Sequence, residues 1–180
     1  MAHDLTAPSP WVARFAPLVG AGAHVLDVAC GTGRHTRLFA ARGCEVEAVD
    51  RDPEAVAALQ GLPGIRVRVA DLEGAAWPYP DADFDAIVVA NYLYRPLLRT
   101  LVESLSASGV LIYETFMLGN ERFGRPANPD FLLRPGELLE LAGGDLEILA
   151  FEQGYTEQPK PAMVQRLAAV KPGFRRVRAL

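Results

Sequence analysis

The sequence predicts an α/β fold in which a parallel sheet is covered by helices on both faces. Three observations carry this. Short apolar or alternating runs at about 24–28, 45–49, 65–69, 85–90 and 109–115 read as strands. Helical stretches at about 34–42, 53–60 and 96–106 come between them, and such alternation implies right-handed crossovers. With 180 residues, 50% of them apolar, the chain has the length for one domain over 1–180, covered on both faces, and no room for a second.

The elements follow in order. Pro8-Ser-Pro-Trp-Val-Ala-Arg-Phe15 predicts a short helix, which either lies over the ligand site as part of an N-terminal segment 1–20 or packs Trp11 and Phe15, four apart, on the sheet. The first strand, His24-Val-Leu-Asp-Val28, runs into a turn with Gly31 and Gly33 that opens a helix. Pro53 stands where a first-turn proline belongs, and Gly43 and Gly109 stand where helices are expected to stop. Asp83-Phe-Asp-Ala-Ile-Val-Val-Ala90 is apolar almost throughout, as a strand buried on both faces requires. After the fifth strand comes an irregular stretch, 117–134, then a helix over 135–142. Strands at about 146–153 and 162–170, joined by a loop over 154–161, bring the total to seven. The whole reads as a Rossmann-like three-layer α/β/α sandwich.

The glycine turn carries the chemistry. Gly31 and Gly33 let the backbone turn tightly and approach a ligand, with the next helix's N–H groups facing it. A dinucleotide fingerprint needs a third glycine where Thr36 stands, and a phosphate-binding P-loop needs a lysine that does not follow Gly33. Asp27, four residues before Gly31, suits a cationic ligand rather than a phosphate, and a sulfonium amino acid meets that demand.

With Asp27, Cys30, Gly31 and Gly33 in the form Asp-x-x-Cys-Gly-x-Gly, the chain resembles the class I S-adenosylmethionine-dependent methyltransferases. The resemblance implies that Asp27, Ala29, Cys30, Gly31 and Gly33 pack against the amino-acid part of S-adenosyl-L-methionine. It makes S-adenosyl-L-homocysteine the product and the seventh strand antiparallel to the rest. Asp50, closing Glu45-Val-Glu-Ala-Val-Asp50, stands where a carboxylate accepts the ribose hydroxyls, with Arg51 beside it. Asp71 and the Leu72 backbone, at the end of Ile65-Arg-Val-Arg-Val-Ala-Asp71, inherit the adenine contact. Asn91, closing the fourth strand, is the remaining cofactor residue. Four marks in the family's order, each at the carboxyl end of a strand, coincide with the edge where open parallel sheets bind ligands.

Methyl transfer from a sulfonium is an in-line displacement, so positioning supplies most of the catalysis and a base is needed only for a hydroxyl-type acceptor. Asn91-Tyr-Leu-Tyr-Arg-Pro96 and Tyr113-Glu-Thr-Phe-Met-Leu-Gly-Asn-Glu-Arg-Phe-Gly-Arg-Pro-Ala-Asn128 carry the aromatics, arginines and amides for that task. These segments resemble small bacterial methyltransferases of the tellurite-resistance-like, type 11 group, whose acceptor is open. The catalytic candidates are Glu114, as general base or else as an ion-pair partner of a nearby arginine, and Tyr92, as an acceptor-orienting or sulfonium-facing ring or else core filler. Tyr94, Arg95, Arg122 and Arg125 are the substrate-binding candidates, the arginines holding an anionic group or else pairing with surface acids. The stretch 117–134 is the expected substrate loop, placed to act as a lid.

Composition narrows the classes. A net charge of −4 argues against an extended nucleic-acid footprint, although Lys171-Pro-Gly-Phe-Arg-Arg-Val-Arg178 is locally basic. Two cysteines, Cys30 and Cys44, suit a reducing compartment, the three histidines are too scattered for a zinc site, and no metal is expected. The N-terminus does not read as a signal peptide and no run approaches a membrane span, so a cytoplasmic location is expected. The function expected is methyl transfer to a small nucleophile such as a thiol, carboxylate or metalloid oxyanion. The alternatives are an RNA or protein methyltransferase, or a protein that binds the cofactor without catalysis.

Overall fold

The computed structural model describes residues 7–175; the first six residues and the end of the basic tail lie outside it. Seven strands form one sheet in the order β3-β2-β1-β4-β5-β7-β6. They are β1 (His24–Val28), β2 (Glu45–Asp50), β3 (Ile65–Val69), β4 (Phe84–Ala90), β5 (Leu105–Phe116), β6 (Glu147–Thr156) and β7 (Ala162–Val170). The first five pair in parallel, while β7 lies between β5 and β6 antiparallel to both. The order reverses between β1 and β4, which opens a crevice at their carboxyl ends.

Alternation within the strands builds a core on each face. Val110 and Ile112 of β5, with Ala86 and Val88 of β4, pack toward Trp11, Val12 and Phe39. Leu111 and Tyr113, with Ile87 and Val89, pack toward Leu101, Val102 and Leu138. The helices on the first face include α1 (Pro10–Phe15) and α2 (Arg34–Ala41); those on the second are α4 (Leu98–Glu103) and α5 (Glu137–Ala142). The short α3 (Pro53–Val56) starts at the expected proline, with Asp52 as N-cap accepting the Glu54 N–H at 2.9 Å.

Of the two N-terminal readings, the sheet-packing one describes α1. Trp11 is buried, stacks on Phe15 at 4.7 Å and donates its indole N–H to the Leu167 carbonyl at 3.3 Å. The segment leading into it, Ala7 to Ser9, nonetheless borders the site described below.

Three boundaries move. The helix expected to 106 ends at Glu103, because the Ser104 carbonyl accepts the Phe84 N–H at 2.9 Å and Leu105 already pairs with Phe84. Gly109 is therefore no helix stop but lies inside β5, beside the register shift between Phe84 and Ala86. β6 runs on to Thr156, since Gly154, Tyr155 and Thr156 pair with Val164, Met163 and Ala162, leaving only 157–161 as the hairpin loop.

The stretch 117–134 is tied down at several points. Its ends meet through a bridge between Met117 and Leu133, and the buried Asn120 donates to the Pro126 carbonyl at 3.0 Å while accepting the Met163 N–H at 3.2 Å. No helix among the described residues is long and apolar enough to cross a membrane.

Candidate active site

The crevice is built from four strand ends. β1 delivers Asp27, and the turn after it holds Ala29, Gly31 and Gly33 at φ 52°, 54° and 81°. The two glycines answer different needs. A side chain on Gly33 would meet Leu59 at 2.5 Å, so its bareness serves packing, whereas the space beside Gly31 is open. Cys30 turns inward against Ala48, Val56 and Leu59, where burial pushes its thiol pKa up. Cys44 is likewise a buried free thiol.

β2 delivers Asp50, half-buried. One of its oxygens accepts the Gly31 N–H at 2.8 Å and the other the Asp52 N–H at 2.9 Å. The glycine turn and the carboxylate are thereby held as one unit, with lone pairs left for a diol. Asp71, after β3, accepts the Glu73 N–H at 2.9 Å and is exposed, as is Arg51; the Leu72 side chain is buried. After β4, Asn91 takes φ 59°, donates its N–H to the Glu114 carbonyl at 3.0 Å and faces the crevice.

Asp27 is almost fully buried and accepts the Thr36 hydroxyl at 2.6 Å. That bond explains why threonine stands where a dinucleotide fold has its third glycine. Burial outweighs the Thr36 hydrogen bonds and the nearby Arg34, raising the Asp27 pKa to about 6. His35, next along α2, is buried and accepts the Ser9 N–H on Nε2 at 3.1 Å, which requires the neutral ring. Burial, with Arg34 adding to it, lowers its pKa to about 3.

The two titrations oppose each other. His35, depressed from 6.5 to about 3, contributes stability that is complete above pH 6.5 and lost as pH falls. Asp27, raised from 3.8 to about 6, contributes stability present below pH 3.8 and lost as pH rises through 6. From pH 7 to 5 the first loses about 2 kcal/mol and the second regains about 1 kcal/mol. Urea unfolding should therefore show little net change for the wild type, a steeper acid loss for Asp27→Asn, and greater stability at pH 5 than at pH 7 for His35→Gln. The reverse order of the two variants would refute the assignment.

Beside the glycine turn, on the α1 face of the sheet, lies a cavity of about 570 Å³. Among its walls are Asn91, Glu114, Arg34, Arg125, Lys160 and Arg166. Register explains the wall: Glu114 on β5 pairs with Arg166 on β7, which pairs with Glu152 on β6. Arg166 donates from Nε to Glu114 Oε2 at 3.1 Å and from a terminal nitrogen to Glu152 at 3.3 Å. Glu114 is thus ion-paired, but with Arg166 rather than with an arginine of the 117–134 stretch.

The expected substrate residues divide. Arg125 lines the cavity; Tyr94, Arg95 and Arg122 do not. Arg122 lies over the Phe123 ring at 5.8 Å, outside the cavity, and Tyr94 borders a separate recess with Trp77 and Thr100. Arg95 is engaged within the protein. It holds Glu137 through two hydrogen bonds of 2.7 and 3.0 Å, and reaches the carbonyls of Asp130 and Leu132 at 2.8 and 2.7 Å. Arg95→Met should therefore lower stability by about 2 kcal/mol while leaving acceptor KM unchanged, measured by denaturant unfolding and steady-state kinetics. A raised KM at full stability would restore the substrate role.

Tyr92 also lies outside the cavity. Its backbone carbonyl accepts the Tyr113 hydroxyl at 2.9 Å, and its own buried hydroxyl has no hydrogen-bond partner among the described residues. Burial, with the carboxylates of Glu73 and Asp71 nearby, raises its pKa. The hydroxyl thus stands within reach of the Glu73 and Asp71 charges. Arg34, Lys160 and Arg166 were missed as cavity residues. Arg34 directly follows the glycine turn and was legible there; the other two enter only through the hairpin's register.

Open space beside Gly31, a pre-held carboxylate at Asp50, acceptors at Asp71 and Asn91 and a buried acid at Asp27 fit an adenosyl group carrying a cationic sulfur. Residues 25–108 match the model of a methyltransferase domain family. The matched stretch, which holds the glycine turn, Asp50, Asp71 and Asn91, is similar to a methyltransferase domain.

Solved methyltransferases share the chain's fold. On TehB from Haemophilus influenzae the chain superposes with a TM-score of 0.76 at 20% identity over 94% of its residues, and it spans 64% of that protein. For the TehB-like methyltransferase of Corynebacterium glutamicum ATCC 13032 Kitasato the figures are 0.63, 25%, 89% and 86%. For N-methyltransferase NodS of Bradyrhizobium japonicum WM9 they are 0.68, 19%, 89% and 92%. No curated protein matches the chain in sequence.

Proposed function

We propose that this methyltransferase transfers the methyl group to a small-molecule nucleophile, such as a thiol, carboxylate or metalloid oxyanion. The cavity carries the reading: about 570 Å³ suits a small molecule, and it adjoins the glycine turn with four cations and a single carboxylate among the described residues of its walls. The neighbours' names include an N-methyltransferase and TehB-like proteins, so the fold leaves the acceptor to the cavity.

When bound, the cofactor supplies an activated methyl group on a positively charged sulfur. Asp50 would accept the ribose hydroxyls, Asp71 and the Leu72 backbone would hold the adenine, and Ala29, Cys30 and Gly31 would hold the amino-acid part, with Arg51 and Asn91 beside them. Asp27 offsets positive charge on the ligand from beneath. Arg34, beside the turn, faces the ligand's carboxylate. The cavity walls would hold the acceptor's lone pair in line with that methyl group, whose bonding pair would stay with sulfur. An ionised thiol or carboxylate loses no proton in this step. An amine or hydroxyl gives its proton to Glu114, the cavity's carboxylate.

Calorimetry with S-adenosylmethionine, S-adenosylhomocysteine and NAD, then methyl incorporation into thiols, carboxylic acids, selenite and RNA, tests this. Binding of the sulfonium pair with transfer to a small acceptor is expected. Transfer to RNA alone, or binding without any transfer, would overturn the small-molecule reading.

A further inference from the structure

The cavity is larger and greasier than an inorganic oxyanion needs. Phe116, Pro159, Ala162 and Val164 supply apolar wall, and a compact, fully polar ion placed there would leave most of about 570 Å³ unfilled. The charges are also unevenly placed. Glu114, only 9% exposed, forms the inner wall and is paired with Arg166. Arg125 and Lys160 are exposed at the mouth, and neither makes an ion pair among the described residues. Lys160 instead stands over the Phe116 ring at 5.7 Å.

A cation pair at the rim, apolar surface behind it and a carboxylate at the far end describe a ligand with two distinct ends. We infer that the acceptor is an organic anion with an apolar body. Its charged head sits between Arg125 and Lys160, its body lies on Phe116, Val164 and Pro159, and its nucleophilic atom reaches the inner end beside Glu114 and Asn91. The inference rests on the methyl-transfer reading of the same cavity and narrows it. Arg34 is left to the cofactor, since it follows the glycine turn directly and its charge acts on Asp27. Arg166 is already compensated by Glu114 and Glu152. That leaves Arg125 and Lys160 for the acceptor, and side-chain cations at an open rim accept a carboxylate without strict geometry.

The assay is calorimetric titration of the full chain, saturated with S-adenosylhomocysteine, by phenylalkanoates from 3-phenylpropanoate to 5-phenylpentanoate, by the matching primary amides, and by selenite. The best acid is expected to bind at least tenfold more tightly than its amide. The double variant Arg125→Met with Lys160→Met should erase that difference while leaving S-adenosylhomocysteine affinity unchanged. Selenite should not displace the acid. Equal affinity for acid and amide, a difference that survives the double variant, displacement by selenite, or no acid binding below about 10 mM while the cofactor product binds would each overturn the inference. Loss of S-adenosylhomocysteine binding in the wild type would instead overturn the methyl-transfer reading itself.

Discussion

Glu114→Gln is expected to lower kcat about a hundredfold with an amine or hydroxyl acceptor, at unchanged S-adenosylmethionine affinity. Glutamine keeps the side chain's length and still accepts the Arg166 hydrogen bond, yet it cannot take a proton. The acceptor series separates the possible roles. A thiol or carboxylate that enters already ionised needs no base, so its turnover should fall only slightly. An equal fall for every acceptor would make Glu114 a positioning residue for Arg166, and an unchanged rate with amines would remove it from the reaction. Because the substitution leaves Arg166 with Glu152 as its remaining ion-pair partner, unfolding free energy should be measured alongside, so that lost turnover is not lost fold.

Asp50→Ala is expected to weaken S-adenosylmethionine binding by about 1.5–3 kcal/mol, roughly ten- to a hundredfold, with the sheet intact. Two effects add. The diol loses a charged acceptor, and the Gly31 N–H, held at 2.8 Å by Asp50, loses the partner that fixes the turn. Asp50→Asn keeps an oxygen for Gly31 and loses the charge, so its affinity should fall between wild type and alanine. Calorimetry on the three proteins reads both effects, and wild-type affinity in the alanine variant would sink the ribose assignment.

The gathering of Asp27, the glycine turn and Asp50 at one sheet edge was legible because its signals are local. Asp27, Gly31, Gly33 and Asp50 lie at strand ends that periodicity locates, and a parallel α/β sheet presents its strand ends at one edge. The acceptor side was legible only in part. Arg125 was found from composition, but Arg95 and Arg122 carry the same guanidinium in the same stretch of sequence and point elsewhere. What separates them is their neighbours: the buried Glu137 and two carbonyls engage Arg95, and the Phe123 ring lies under Arg122. Tyr92 stands outside the cavity for a similar reason. The backbone after β4 takes a left-handed turn at Asn91, and the Tyr113 hydroxyl pins the Tyr92 carbonyl, so the side chain is sent toward Asp71.

By itself the sequence determined the sheet and its order of use. Alternating and continuous apolar runs, closed by acids and by one glycine turn, specify strands and the edge at which their carboxyl ends gather, because each of those signals depends on spacing along the chain. Only the tertiary structure decided which charges line one cavity. Glu114, Arg166 and Glu152 meet through hydrogen-bond register across three strands, His35 meets Ser9 across 26 residues, and Arg125 and Lys160 come to one cavity from two different loops. Contacts of that kind join residues far apart in the chain, and no local pattern of polarity distinguishes the arginine that will be paired from the one that will be left for a ligand.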